Sequence, residues 1–339
     1  MKKRKRIFTL DAFKWIAAFL VVAIHTSPLE SESALGDFIV TGILARVAVP
    51  FFFMLTGFFT LNAAVREKSR ALGRAVCKLT VLYLGLTLLY LPVTLYQIVK
   101  GSKTITLQSF FRDLIFDGTF YHLWYLPACI LGLIIVYFLL KLGRENALII
   151  SIFLYLAGLL GDSYFGLMSG SPFLNRIYTA LFHVFSYTRN GIFMAPLFLL
   201  LGYLCRDYRD KRMVRTALFC AAAFLGMTME ALLLHGAGWQ KHDSMYLCLP
   251  FVSVNLFHLL LEWERKRRQQ NQETQTFSKL WINGPMLVYF LHPLVILVLR
   301  GAVKITHLCV FLTFSPLYYI SVCLISFLLS AVLLCIRYG

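Results

Sequence analysis

The first apolar segment of the chain, residues 10–28, carries Asp11, Lys14 and His25 inside the hydrophobic run LDAFKWIAAFLVVAIHTSP. The next segment repeats the pattern with Arg46, in ARVAVPFFFMLTGFF. A neutral imidazole can take a proton from a hydroxyl near neutral pH, and a guanidinium can hold a carboxylate or a developing oxyanion. A base and a cationic clamp suit acyl transfer to an alcohol. They equally suit the binding of a small carboxylate or zwitterion for transport.

The composition indicates an integral membrane protein. Of the 339 residues, 59% are hydrophobic and only 14% are charged, which departs strongly from the composition of soluble globular domains. The apolar stretches run without strict alternation for about 20 residues, the length that a helix needs to cross a hydrocarbon core about 30 Å thick, which favours helices over a β-barrel. An ionisable side chain inside such a span costs at least about 2.5 kcal/mol, so each one is a candidate functional residue.

The apolar runs predict an all-α polytopic fold with about ten transmembrane helices, as a single membrane domain over residues 1–339 with no soluble catalytic domain. Most of the 33 lysines and arginines fall in loops on one side of this arrangement, so the positive-inside rule predicts that both termini are cytoplasmic. The short amphipathic segment Ile105 to Phe116 is expected to lie on the surface. The predicted spans are 10–28, 36–62, 78–100, 121–140, 146–161, 190–205, 214–235, 245–263, 280–299 and 306–336.

The basic start MKKRKR followed by an apolar run also resembles a secretory signal peptide. A cleaved signal has a short, uncharged apolar region, whereas this run carries Asp11, Lys14 and His25 and has no clear small-x-small cleavage site after it. We therefore expect the first run to remain in the protein as a span.

The predicted topology places ionisable residues from five spans in the outer half of the membrane. Asp11 and Lys14 lie one turn apart at the inner edge and can pair, whereas His25 lies about 16 Å further along the same helix. Trp124 starts the fourth span beside His122 in YHLWYLP. If they face one another, the outer residues define a polar cavity. These residues are His25, Arg46, His122, Glu230 and His292.

Each of these residues also has a purely structural interpretation. Lys14 can extend to the inner surface, and His122, Trp124 and Glu230 can be interfacial residues of the outer rim. A neutral His292 can bond to a carbonyl of a neighbouring helix. His25 and Arg46 are harder to explain in this way, because a guanidinium stays charged at any physiological pH.

Several other function classes receive no support from the sequence. It contains no HExxH motif, no CxxC pair and no glycine pattern typical of nucleotide binding, so we expect no metal and no tightly bound cofactor. The net charge of +17 comes from short loops between helices and not from a basic face with a base-reading module. We therefore expect a lipid bilayer as partner and no nucleic acid.

The segments LDAFKWIAAFLVVAIH, ARVAVPFFFMLTGFF, HLWYLP and YFLHPL occur in an order and setting that resemble the acyltransferase 3 family of membrane O-acyltransferases. The resemblance covers essentially the whole chain. It implies transfer of an acyl group, typically acetyl from a cytoplasmic acyl-CoA, to a hydroxyl of a cell-surface glycan or related acceptor in the bacterial cytoplasmic membrane. By this resemblance His25 matches the family's essential histidine in the first span, and Arg46 matches the arginine before the VPxFF segment.

One position departs from the family pattern. Many members have an arginine where this chain has Lys14, and lysine keeps the charge but loses the bidentate fork that grips phosphate or carboxylate. With DAFK, IHTSPL and RVAVPFFFMLTGFF, the chain is most similar to the membrane half of VanT-type serine/alanine racemases of glycopeptide-resistant bacteria. That resemblance implies a cytoplasmic racemase domain after residue 339 as a partner, and leaves open an isolated membrane domain or a stand-alone relative.

Two functions therefore compete. The first is an acyltransferase with His25 as base and Arg46 as clamp, acyl-CoA as donor, and a small-molecule or glycan acceptor. The second is a carrier or binding module for L-serine or a similar small amino acid. A purely structural anchor ranks last, because an anchor needs neither His25 nor Arg46 inside the membrane.

Overall fold

The computed structural model of the protein describes residues 6–66, 70–102, 104–168, 170–207, 212–270, 279–306 and 313–338. These residues form helices joined by turns, and no strand occurs among them. Parts of the basic N-terminal run and residues 307–312 of the last predicted span lie outside the described residues.

We number the principal helices α1 to α12 in chain order. They are α1 (Phe8–Thr26), α2 (Ala34–Arg66, with irregular segments), α3 (Arg70–Val99), α4 (Leu107–Arg112), α5 (Tyr125–Leu139), α6 (Arg144–Leu160), α7 (Pro172–Val184), α8 (Ala195–Leu204), α9 (Met213–Gly236), α10 (Leu249–Gln269), α11 (Lys279–Thr306) and α12 (Ser315–Tyr338).

The protein is an all-α polytopic membrane protein, as the sequence predicts. Within the described residues, seven helices are long and apolar enough to cross a membrane: α1, α2, α3, α5 with its extension to Leu142, α9, α11 and α12. The other predicted spans coincide with α6, α8 and α10, which are 17, 10 and 21 residues long. The number of ten spans and the cytoplasmic termini stay predictions.

The chain divides into two compact units. The first contains residues 1–51, 209–228 and 251–339, and the second contains residues 52–208 and 229–250. In the first unit, α1, α11 and α12 pack against one another around a core of apolar side chains. This core is formed by Trp15, Ala18, Val22, Val288, Val295, Ile296, Tyr318 and Val322.

Helix α2 is irregular through the stretch that contains Arg46. A π-helical turn covers Ile39–Ile43, a 3-10 turn covers Leu44–Val47, and a regular α-helix resumes at Ala48–Thr56. Pro50 contributes to this geometry, because it has no N–H to donate to the carbonyl of residue 46. Such interruptions of a helix often mark functional positions, since they turn side chains and free backbone groups.

In the second unit, α2 and α8 approach each other at two glycines. A Cβ atom on Gly57 would lie 1.9 Å from the carbonyl oxygen of Leu199, and one on Gly202 would lie 2.0 Å from that of Met54. Only hydrogen fits at these two positions. Small residues that let backbones touch are the usual basis of close helix packing in membranes, where no hydrophobic effect drives helices together.

Three details differ from the sequence-based expectations. His122 and Trp124 do not begin the fourth span: they lie in turns before α5, because Gly118, with φ of 83°, brings the chain back against the Trp124 backbone. The sixth span, predicted from residue 190, becomes helical only at Ala195, because the Asn190 side chain accepts hydrogen bonds from the N–H groups of the two residues Ile192 and Phe193.

The third difference is α7, which the apolar-run pattern left unassigned. Ser171 caps it, and Pro172 occupies its first turn.

The glycine contact between α2 and α8 predicts a large and local stability effect. Gly202→Ala should destabilise the protein by about 3 kcal/mol, because the added methyl group meets backbone that cannot move aside. The apparent melting temperature of the detergent-purified protein, read by intrinsic fluorescence, measures this.

Gly85→Ala is the matched control. Gly85 lies within α3, and its surroundings are open for 4 Å around an added Cβ, so alanine should be neutral or stabilise by up to about 1 kcal/mol. Equal melting temperatures for the two variants would contradict the close approach of α2 and α8.

Candidate active site

The strongest candidate site lies in the first unit, where two histidines from different helices meet. His25 lies in the last turn of α1 and His292 near the middle of α11. Their rings are stacked, with centroids 5.3 Å apart and planes inclined by 21°. His292 is fully buried, whereas His25 is half-buried. The structure thus brings together two of the residues that the sequence predicts for the site.

The backbone of α11 orients His292. Its Nδ1 atom lies 3.1 Å from the carbonyl oxygen of Val288, one turn earlier. A carbonyl can only accept, so this hydrogen bond requires a proton on Nδ1 and fixes the tautomer of a neutral ring. The next residue, Pro293, has no N–H for the helical ladder and loosens α11 at this point. His292 therefore stands beside His25 as an oriented ring.

The close packing of α1 on α11 holds the two histidines at this distance. Trp15 of α1 donates its indole N–H to the carbonyl of Trp281, 3.1 Å away. A Cβ on Gly284 would lie 2.5 Å from the Trp15 ring, so glycine is needed to leave room for the indole beside α11. The register between the helices is set here, about ten residues before the histidine pair on α1.

Arg46 belongs to the same unit. It lies in the 3-10 turn of α2, and both this turn and the preceding π turn pack against α1. Its side chain is half-buried, and its Nε atom is shielded from solvent. The structure thus carries Arg46 on a segment that lies against the helix of His25.

Asp11 and Lys14 form the ion pair that their spacing predicts. Lys14 Nζ lies 2.5 Å from the Asp11 carboxylate, and Asp11 is buried. The pair lies on the first turns of α1, about 16 Å of helix from His25. It is therefore a separate feature at the other end of the same helix.

A carboxylate from another helix caps the start of α1. Ile7, at the N-cap position, provides no capping side chain. Glu264 of α10 instead accepts a hydrogen bond from the Thr9 N–H at 3.2 Å, and the Thr9 hydroxyl donates to the Leu260 carbonyl at 2.6 Å. A negative charge here also complements the positive end of the helix dipole. Sequence reasoning missed this contact because the partners are 255 residues apart.

His122 and Trp124 belong to the second unit. His122 is buried in a cage of aromatic rings, with ring centroids 5.0 Å from Tyr90 and 5.8 Å from Phe120. The Arg189 guanidinium lies over the Trp124 ring at 5.4 Å. In both contacts a polar group, the His122 imidazole or the Arg189 guanidinium, lies against aromatic rings.

Glu230, also in the second unit, binds the backbone of the loop that precedes α10. Its carboxylate accepts from the Tyr164 hydroxyl at 2.8 Å and from the backbone N–H groups of Leu247 and Cys248 at 2.5 and 2.9 Å. This geometry fixes the residues that lead into α10.

Sequence reasoning missed one further polar cluster of the second unit. Asp162, directly after α6, is fully buried, and its Oδ1 atom accepts from the N–H groups of Ser244 and Met245 at 2.7 and 3.0 Å. Arg189 donates to the Ser244 hydroxyl at 3.1 Å. Burial raises the pKa of the Asp162 carboxyl, an effect that the nearby Arg189 charge opposes. The signal was an Asp in a short loop directly after an apolar run.

Among the described residues, no three His, Cys, Asp or Glu side chains come close enough together to hold a metal ion.

The acyltransferase domain family, acyltransferase 3, matches residues 7–335 of the chain. The chain therefore belongs to the acyltransferase 3 family, as its motifs predict. No solved structure matches it.

Three relatives of the chain are named as racemases. A protein named amino-acid racemase from Enterococcus faecalis is 44% identical over 79% of this chain and 38% of its own length. Another of that name and species is 38% identical over 96% of this chain and 45% of its length. A serine/alanine racemase from Enterococcus gallinarum is 40% identical over 84% of this chain and 40% of its length. The chain thus spans less than half the length of the curated relatives it matches.

The cap on α1 predicts a pH-dependent stability. Burial alone would raise the pKa of Glu264, but hydrogen bonds from Arg268, Arg267 and the Thr9 N–H outweigh it and hold the pKa below the ordinary value of 4.5. Stability from this group is thus fully present above that value and is lost as the pH falls through the lowered pKa. The melting temperature should drop between about pH 5 and about pH 3.

Glu264→Gln keeps an oxygen that can accept from Thr9 but removes the charge. Its melting temperature should be lower at pH 7 and should fall less on acidification than that of the unsubstituted protein. Parallel curves for the two proteins would show that Glu264 does not contribute in this way.

Proposed function

We propose that this protein is an integral membrane O-acyltransferase that moves an acyl group, most simply acetyl, from cytoplasmic acyl-CoA to a hydroxyl acceptor in the outer half of the membrane. One observation carries the proposal: the ring of His25 is stacked on an oriented His292 inside a chain of the acyltransferase 3 family. Histidine is the side chain best suited to accept and return a proton near neutral pH.

In the proposed reaction, His25 takes the proton of the acceptor hydroxyl. The oxygen attacks the thioester carbonyl, the C–S bond breaks after a tetrahedral intermediate, and the CoA sulfur leaves and receives a proton from the histidinium. The Arg46 guanidinium stabilises the negative charge on the carbonyl oxygen of the intermediate. His292 positions the ring of His25, since its own Nδ1 proton is occupied by the Val288 carbonyl.

The remaining predicted site residues lie outside the proposed proton transfer. Lys14, held by Asp11, offers a positive charge at the predicted inner end of α1, where the phosphates of a CoA donor would approach. His122 and Trp124 stay predicted cavity residues of the second unit, and no step of the proposed reaction uses them. Glu230 is proposed only as a support for the loop before α10, because its carboxylate already accepts three hydrogen bonds. No tightly bound cofactor is proposed.

His25→Ala tests the enzyme proposal. The purified full chain in lipid nanodiscs should release CoA from acetyl-CoA, and His25→Ala should lower this rate by at least about a hundredfold, the usual contribution of a general base. Release of the CoA thiol and transfer of radiolabelled acetyl both measure it.

His235→Ala is the control, because His235 is exposed at the end of α9. It should keep the rate of the unsubstituted protein. A His25→Ala protein with an unchanged melting temperature and an unchanged rate would remove His25 from the mechanism.

The names of the racemase relatives favour a second candidate function: binding or transport of L-serine or a similar small amino acid. The half-buried Arg46 would hold the carboxylate of such a substrate. Proteoliposomes should then accumulate labelled serine, and Arg46→Ala should abolish the accumulation. Uptake no greater than in empty liposomes would overturn this candidate.

The same relatives suggest the setting in which the chain works. Because each is more than twice as long as the region it shares with this chain, we propose a cytoplasmic racemase domain, following residue 339 in a longer protein, as a partner. A bacterial cytoplasmic membrane is the proposed location.

A further inference from the structure

Helix α7 of the second unit presents three different faces. Tyr178 is buried against the protein. Phe173, Ile177 and Val184 form an exposed apolar stripe, with 71%, 40% and 50% of their surface exposed. At 100° per residue these three side chains lie within about 40° of one another around the helix. The polar residues of α7 occupy the remaining side: Asn175, Arg176, Thr179 and His183.

Two hydrogen bonds set the level of α7 relative to α6. The Tyr178 hydroxyl donates to the Ala157 carbonyl at 2.6 Å, and the Thr188 hydroxyl, just beyond α7, donates to the Gly158 carbonyl at 2.8 Å. Both acceptors belong to the last turn of α6. A helix of 17 residues is about 25 Å long, close to the thickness of a hydrocarbon core. Residues 146–161 are a predicted span, so the middle of α7 is expected at the level where α6 reaches the membrane surface.

The polar side of α7 contains a shallow pocket of about 270 Å³. It is lined by Asn175, Arg176, Thr179, Ala180 and His183. This set offers a guanidinium, an imidazole and neutral donors, which is the chemistry that recognises a phosphate group. Another cation contacts α7 itself, since Lys241 Nζ is 3.1 Å from the centroid of the Phe182 ring.

A tryptophan near α7 has the position expected of a membrane-interface anchor. Trp239 is 39% exposed and packs on Gly166, where a Cβ would lie 2.5 Å from the indole. Tryptophan is enriched at the level of the lipid headgroups, because its ring is apolar and its N–H is polar.

We propose that α7 is a membrane-interface helix that binds an anionic phospholipid. The phosphate occupies the pocket beside Arg176 and His183, and the acyl chains follow the stripe of Phe173, Ile177 and Val184. The adjoining cationic and apolar faces select this ligand: a free phosphate ion would leave the stripe exposed to water, and a zwitterionic headgroup would bring its own cation beside Arg176.

The test measures thermal stabilisation by defined lipids. Phosphatidylglycerol added to the detergent-purified full chain should raise the apparent melting temperature more than phosphatidylcholine with the same acyl chains. Arg176→Ala should raise the half-saturating concentration of phosphatidylglycerol about fivefold, from the usual contribution of one arginine at an anionic surface, and Arg176→Glu should raise it further. Phe173→Asn should weaken the response as well. Arg176 is exposed, so these variants are expected to fold.

Lys100→Glu is the matched control, because it makes the same charge reversal at another exposed position of the second unit. It should leave the response to phosphatidylglycerol intact. The proposal is overturned if Arg176→Glu and Lys100→Glu respond alike, if the two lipids stabilise equally, or if inorganic phosphate alone reproduces the shift.

Discussion

A polar group that is buried away from water has to find its hydrogen-bond partner inside the protein, and this constraint organises most of the contacts described above. Glu264 caps α1 because the first N–H groups of that helix have no partner of their own. Asp162 and Glu230 each collect the N–H groups of a turn, and the His292 ring donates to the carbonyl one turn before it. The three carboxylates bind backbone N–H groups at a helix start or in a turn, whereas His292 binds a carbonyl within its own helix. The loops between the helices are thereby held in defined positions.

The same constraint explains why the histidine pair is informative. A single buried histidine can be satisfied by a carbonyl, as His292 is by Val288. A second ring stacked on it at 5.3 Å adds little to packing that a leucine could not supply. The second imidazole instead adds a nitrogen that can donate or accept a hydrogen bond beside the first ring. The proposed transfer of a proton from a hydroxyl to a leaving thiolate needs such a group.

The irregular part of α2 carries Arg46 and packs against α1, the helix of His25. Pro50 and the π and 3-10 turns before it interrupt regular hydrogen bonding where an arginine stands in an apolar run. The guanidinium keeps its charge at any physiological pH, so its surroundings must supply polar partners. Freed backbone carbonyls are one source of such partners. The motif ARVAVPFFF thus combines a permanent charge with a proline that loosens the backbone around it.

Local patterns in the sequence were sufficient for the helical membrane fold, the Asp11–Lys14 pair and the family. Each depends on residues that are near in the chain or on the length of an apolar run, and both properties are visible without coordinates. For His25 and His292 the sequence predicted only that both lie in the outer half of the membrane. Whether their rings meet depends on the rotation and register of α1 and α11, which contacts such as Trp15 on Gly284 set. The turns that hold His122 and Trp124 before α5 follow from a backbone conformation at Gly118.

The cap of α1 by Glu264 and the level of α7 beside the end of α6 likewise required the tertiary structure. A membrane span is recognised from its hydrophobicity, because the bilayer requires apolar side chains along the whole length of the helix. The partner of a buried polar group is selected by packing between residues hundreds of positions apart.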